Sequence, residues 1–110
     1  MPDRSTLPLK STFADDPEMR ELVDTFIGEL PARIDALRQA LVSRDASKVR
    51  LMAHQLKGAA AGYGFPSIGR AAARIDEVLR VHAKPELLDT VKASMEELLS
   101  LCDRAARSNS

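Results

Sequence analysis

Residues 46–63 read Ala46-Ser47-Lys48-Val49-Arg50-Leu51-Met52-Ala53-His54-Gln55-Leu56-Lys57-Gly58-Ala59-Ala60-Ala61-Gly62-Tyr63. Wound at about 100° per residue with His54 at zero, Val49, Met52, Leu56, Ala59, Ala60 and Tyr63 gather between roughly 140° and 240°. The spacing predicts a helix from Ala46 to about Tyr63, capped by Asp45 and ended by Gly62, Gly64 and Pro66. Met52 and Tyr63 fall on its core stripe. His54 falls almost diametrically opposite, among Arg50, Lys57, Gly58 and Ala61, with Leu51 and Gly62 at the flank.

That outer face has an unusual composition. Gly58 stands one turn after His54, mid-helix, where glycine costs about 1 kcal/mol relative to alanine. Ala61 and Gly62 extend the strip of small residues, so the imidazole is left unobstructed. Lys57 and Arg50, three residues on and four residues back, lie within helical reach of the ring and suit an anion attached to it. A neutral imidazole nitrogen is a good nucleophile near pH 7. Phosphoryl transfer needs in-line access and neutralised charge on the transferred oxygens. The outer nitrogen, Nε2, is the expected acceptor.

Outward from this helix, the rest of the chain also reads as helical. Asp16-Pro17 signals a start, with Asp16 as cap, Pro17 at the first position, and Glu18 and Glu21 in the first turn. Leu22, Val23, Phe26, Ile27, Leu30, Ile34, Leu37 and Leu41 follow at helical spacing. Pro31 interrupts the bonding to Ile27, so a kink or a break is expected near Gly28; one bent helix and two abutting ones both satisfy the pattern. Another helix is expected from Pro66 or Ser67 to Val81, with Ile68, Ala71, Ala72, Ile75, Val78 and Leu79 on one side. Lys84-Pro85 opens the last, striped by Leu87, Val91, Met95, Leu98 and Cys102. Short connections between amphipathic helices imply an all-α, antiparallel up-down four-helix bundle with a bent or split N-terminal segment. The expected divisions are an arm at 1–14, the bundle at 15–103 and a polar tail at 104–110 that frays.

The bulk numbers narrow the function. The 110 residues suit one domain; 45% are hydrophobic, 4% aromatic and none is Trp, which favours helices over strands. Sixteen basic residues cancel sixteen acidic ones, leaving no basic field for nucleic acid or anionic membrane. No run approaches the roughly 20 apolar residues of a bilayer span, and residues 1–14 lack a signal-peptide core. One cysteine, Cys102, fits a reducing compartment, and the cytoplasm is the expected location. A metal centre lacks ligands, since no Glu-x-x-His pair or Cys/His cluster occurs. Nucleotide loops and catalytic triads are also missing, so a kinase active site is not expected. His82, near a helix end with no motif around it, reads as structural.

The run His54-Gln55-Leu56-Lys57-Gly58-Ala59-Ala60-Ala61-Gly62-Tyr63-Gly64 resembles the signature of histidine-containing phosphotransfer (HPt) domains: His-x-Leu-Lys-Gly, then small residues and a helix-ending Gly. The surroundings are similar too, through Asp15-Asp16-Pro17-Glu18, Phe26, Leu30-Pro31, Leu37 and Asp45, and through Ala71-Ala72-Ala73-Arg74-Ile75-Asp76. The likeness spans about residues 13–101. It implies a bundle whose exposed histidine relays phosphate to and from aspartates of response-regulator receiver domains. His54 would be the phosphorylated residue, Lys57 the charge stabiliser, and Gly58 the opening for the partner. Arg50, Leu51, Ala61 and Gly62 are docking candidates, Arg50 through charge steering. Asp76 stands where the family often has Glu, and the shorter acid leaves its relation to the His54 region open; Gln55 receives no role.

The resemblance further implies a phosphoryl carrier with no cofactor of its own, Mg²⁺ being held by the receiver, and a hybrid sensor kinase as the other partner. A monomer that binds neither nucleic acid nor membrane is expected. Met1 and the polar tail favour a stand-alone protein over a piece of a larger kinase. The rival reading is a non-phosphorylated helical adaptor that binds a receiver or kinase through the same face.

Overall fold

The computed structural model describes residues 7–109, and the first six residues of the expected arm lie outside that range. Among the described residues five α-helices follow one another: α1 (Pro17–Val42), α2 (Ala46–Gly62), α3 (Pro66–Val81), α4 (Glu86–Thr90) and α5 (Lys92–Ala106), closed by a 3₁₀ turn at Arg107–Asn109. No strand occurs among the described residues. Four of the helices close a ring: α1 packs on α2, α2 on α3, α3 on α5 and α5 back on α1. The four-helix bundle expected from the apolar spacing is the fold that forms.

The helix boundaries follow local chemistry. Asp16 caps α1 by accepting from the Glu18 amide at 3.0 Å, and Pro17 takes the first position, where its missing N–H is not needed. Asp45 caps α2 by accepting from the Lys48 amide at 3.1 Å. Between them Arg44 takes a left-handed φ of 55°, which turns the chain tightly from α1 into α2. At the far end of α2, Gly64 adopts φ 84°, so that the Phe65 amide returns to the Ala60 carbonyl at 2.8 Å and the Tyr63 amide to Ala59 at 3.1 Å. Gly64 also lies under the arm: its carbonyl accepts from the Thr12 amide at 2.8 Å, and Ser11 Oγ donates to the Tyr63 carbonyl at 2.6 Å.

The core is aliphatic, with Phe26 and Phe65 its largest buried rings. Several expected positions shift. Of the two arrangements open at Pro31, the single helix is found: α1 runs unbroken through it. Leu22 is 49% exposed and Leu41 half-buried, while Ala40 is buried. The expected last helix is divided at Val91 (φ −95°, ψ 10°) into α4 and α5, and the buried residue of α4 is Leu88, with Leu87 half-buried. Helix α5 continues past Asp103 to Ala106 and buries Ala105, and the Arg104 carbonyl and side chain bond to Leu9 and Leu7 of the arm.

Candidate functional site

On α2 the buried residues are Ala46, Val49, Ala53, Leu56 and Ala60, while Met52, Ala59 and Tyr63 are half-buried. The core line is therefore centred near Ala60 at about 240° on the wheel, not near 190°. His54 is turned about 120° from that line rather than opposite it, and this rotation places it beside the seam between α2 and α3. It remains outside the core, with a side chain 55% exposed.

The rotation brings His54 to Asp76, a contact that the shorter acid had left open. Asp76 lies on α3 with its side chain only 4% exposed, and three side chains of α2 converge on it. Arg50 Nε lies 3.2 Å from Oδ1, and His54 Nδ1 and Lys57 Nζ each lie 3.1 Å from Oδ2. Burial by itself would raise the Asp76 pKa. The hydrogen bonds from His54, Lys57 and Arg50, in that order, outweigh it and hold the carboxyl at about 2, below its ordinary 3.8. The carboxylate is shielded from water by its own cationic partners, on the rim of the bundle.

An ionised carboxylate can only accept hydrogen bonds. Nδ1 of His54 must therefore be the donor, and in the neutral ring the lone pair then resides on Nε2, the nitrogen turned away from Asp76. The ring is held by one edge and offers its nucleophilic atom on the other. Arg50, expected to act through long-range charge alone, is instead tied to Asp76 beneath the ring, as is Lys57.

Of the remaining candidates, Leu51, Gly58 and Gly62 sit on the open side of His54, whereas Ala61, though exposed, lies at the seam beside Gly69 of α3. Leu51 is 53% exposed, and Gly58, Ala61 and Gly62 are exposed. A methyl group added at Gly58 or Gly62 would meet nothing within 4 Å, so this strip is bare backbone facing outward. Gln55 is exposed, whereas Cys102 is buried in the core with its thiol pushed up to about 12 by that burial. Among the described residues no group of His, Cys, Asp or Glu could hold a metal ion, and no helix is long and apolar enough to cross a membrane.

Asp76 is the functional candidate that sequence reasoning missed. A usable signal existed: Arg50, His54 and Lys57 fall within about 60° of one another on α2, three potential donors aimed the same way. Such a cluster calls for an acid on the adjoining helix, and Asp76 borders the apolar stripe of α3 between Ile75 and Leu79.

Fold and site together define a class: helical bundles that present one tethered, water-facing histidine on a helix flank. Within that class the Hpt domain family model matches residues 21–107, and the chain belongs to that family. Hpt domains serve histidine phosphotransfer in phosphorelays and interact with receiver domains and kinases. Neither a curated protein nor a solved structure matches the chain.

Proposed function

We propose that this protein is a phosphorelay carrier in which Nε2 of His54 takes a phosphoryl group from an aspartyl phosphate of a receiver domain and returns it to another. The observation that carries the reading is the bond between Nδ1 and an ionised Asp76. It fixes the tautomer in which Nε2 is nucleophilic. The Nε2 lone pair attacks phosphorus in line, a P–N bond forms, the acyl P–O bond breaks, and the partner's carboxylate leaves. No proton has to move. The ring gains a positive charge while keeping its Nδ1 hydrogen, and the Asp76 carboxylate stabilises that charge at 3.1 Å.

Lys57 is the residue assigned to the incoming phosphoryl oxygens, its side chain being 41% exposed and one turn from the ring. Arg50 stays with Asp76 and supplies positive potential from below. Gly58, Leu51, Ala61 and Gly62 form the surface that a receiver covers, since bare backbone lets its active-site loops approach the imidazole. The receiver brings Mg²⁺ and its acidic cluster. A hybrid sensor kinase is the proposed source of phosphate, the cytoplasm the proposed setting, and the monomer the proposed working form.

The test is incubation with a phosphorylated receiver domain. Label should pass to this chain as an acid-labile, base-stable adduct, and His54→Gln should abolish it. Labelling that survives the substitution refutes the assignment. An adaptor of the rival kind would keep its partner binding and its biological effect with His54→Gln, whereas a relay loses the effect.

A further inference from the structure

Asp76 is a short acid, yet it reaches three side chains of the neighbouring helix. Its reach depends on how closely α3 approaches α2. Gly69 lies seven residues before Asp76, about 20° off the same line of α3 and about 10 Å along its axis. A Cβ built on Gly69 would stand 3.4 Å from the Lys57 carbonyl oxygen, 3.7 Å from the Ala61 amide nitrogen and 3.8 Å from Ala61 Cβ. Two of these three atoms are backbone, which cannot swing aside. A methyl group there would already stand in van der Waals contact with the α2 backbone, and bulk beyond it would press the two helices apart. Gly28, Gly58 and Gly62, the other helical glycines, have open space where a Cβ would go.

We propose that Gly69 is a positioning residue for His54. By keeping α3 within a methyl's width of the α2 backbone, it lets a carboxylate as short as Asp76 hold the Nδ1 edge of the imidazole. Bulk at position 69 and acid length at position 76 are a matched pair. A valine at 69 would put two carbons about 1.5 Å past Cβ and open the seam by about an ångström. The bonds from Asp76 Oδ2 to His54 and Lys57 are 3.1 Å long, so that opening carries both beyond hydrogen-bond range. A glutamate at 76 adds about 1.3 Å of reach, close to the distance lost.

The consequence for phosphotransfer rests on the function proposed above; the consequence for the tautomer does not. The experiment records long-range ¹H–¹⁵N correlations of the imidazole at alkaline pH in a His82→Gln background, which leaves His54 as the single histidine. The parent protein and Gly69→Ala should show the hydrogen on Nδ1. Gly69→Val should move it to Nε2 and slow phosphotransfer from a receiver about tenfold, as expected for the loss of one charge-assisted bond. Adding Asp76→Glu to Gly69→Val should restore both, and Gly58→Val, on the open face, should leave the tautomer alone. If Gly69→Val does not fold, Gly69→Cys, with one atom past Cβ, takes its place. A tautomer indifferent to bulk at 69, or not restored by the longer acid, overturns the pairing. A tautomer that moves as stated in a protein that never accepts phosphate leaves the pairing standing and sinks the relay.

Discussion

Replacing Asp76 by asparagine keeps the shape of the side chain and removes its charge, so it isolates what the ionised carboxylate contributes. A carboxyl held at about 2 in the folded chain and at 3.8 in the unfolded one stabilises the fold by about 2 kcal/mol at neutral pH, at 1.36 kcal/mol per pKa unit. That is an upper value, because Arg50, His54 and Lys57 are between 38% and 55% exposed and water screens their charges. Asp76→Asn should therefore cost about 1–2 kcal/mol at pH 7, read as a lower urea midpoint with an unchanged slope. The sign of the pH dependence follows from the lowered pKa. The stabilisation is complete above 3.8 and is lost as pH falls through about 2. About half of the difference between parent and variant should be gone at pH 3. A gap between the two proteins that is the same at pH 7 and pH 3, or absent at both, refutes the claim that an ionised Asp76 anchors the three α2 side chains.

Four further outcomes are expected. Gly58→Ala should stabilise the protein by about 0.5–1 kcal/mol in thermal unfolding, because helix propensity rises and the new methyl meets nothing. Gly58→Glu should leave the helical circular-dichroism signal intact yet obstruct transfer from a receiver, with rates at parental level speaking against docking over this strip. Lys57→Ala should slow transfer or shorten the lifetime of the phosphorylated protein in a chase, with its urea midpoint falling by less than that of Asp76→Asn. Gly64→Ala should destabilise the fold by at least about 1 kcal/mol, since φ is 84° there and a Cβ would run into Ser11, Thr12 and Phe13 of the arm.

The architecture was legible because helix signals are local. The caps at Asp16 and Asp45, the terminating glycines and the apolar spacing each act within a few residues, and each has its expected consequence in the fold. Alanine is where legibility ended. Ala46 and Ala53 are buried while Ala61 is exposed, and nothing in a methyl group distinguishes these fates. Counting Met52, Ala59 and Tyr63 and omitting Ala46 and Ala53 turned the apparent core line by about 50° and moved His54 away from the seam. The Asp76 contact was invisible for a related reason. It depends on the distance between two helices, which Gly69 controls from about two turns away and which no single helix encodes. Likewise Leu22 fits the α1 pattern yet stays exposed, and the split at Val91 exchanges Leu87 for Leu88 in the core.

The central claim concerns a single atom, and one spectrum addresses it. The ¹⁵N-labelled protein, phosphorylated by receiver domains from the same cell, is examined by ³¹P and long-range ¹H–¹⁵N correlation. The account predicts phosphorus on Nε2 of His54, with hydrogen retained on Nδ1 toward Asp76. Phosphorus on Nδ1, on His82 or on any other side chain would contradict it.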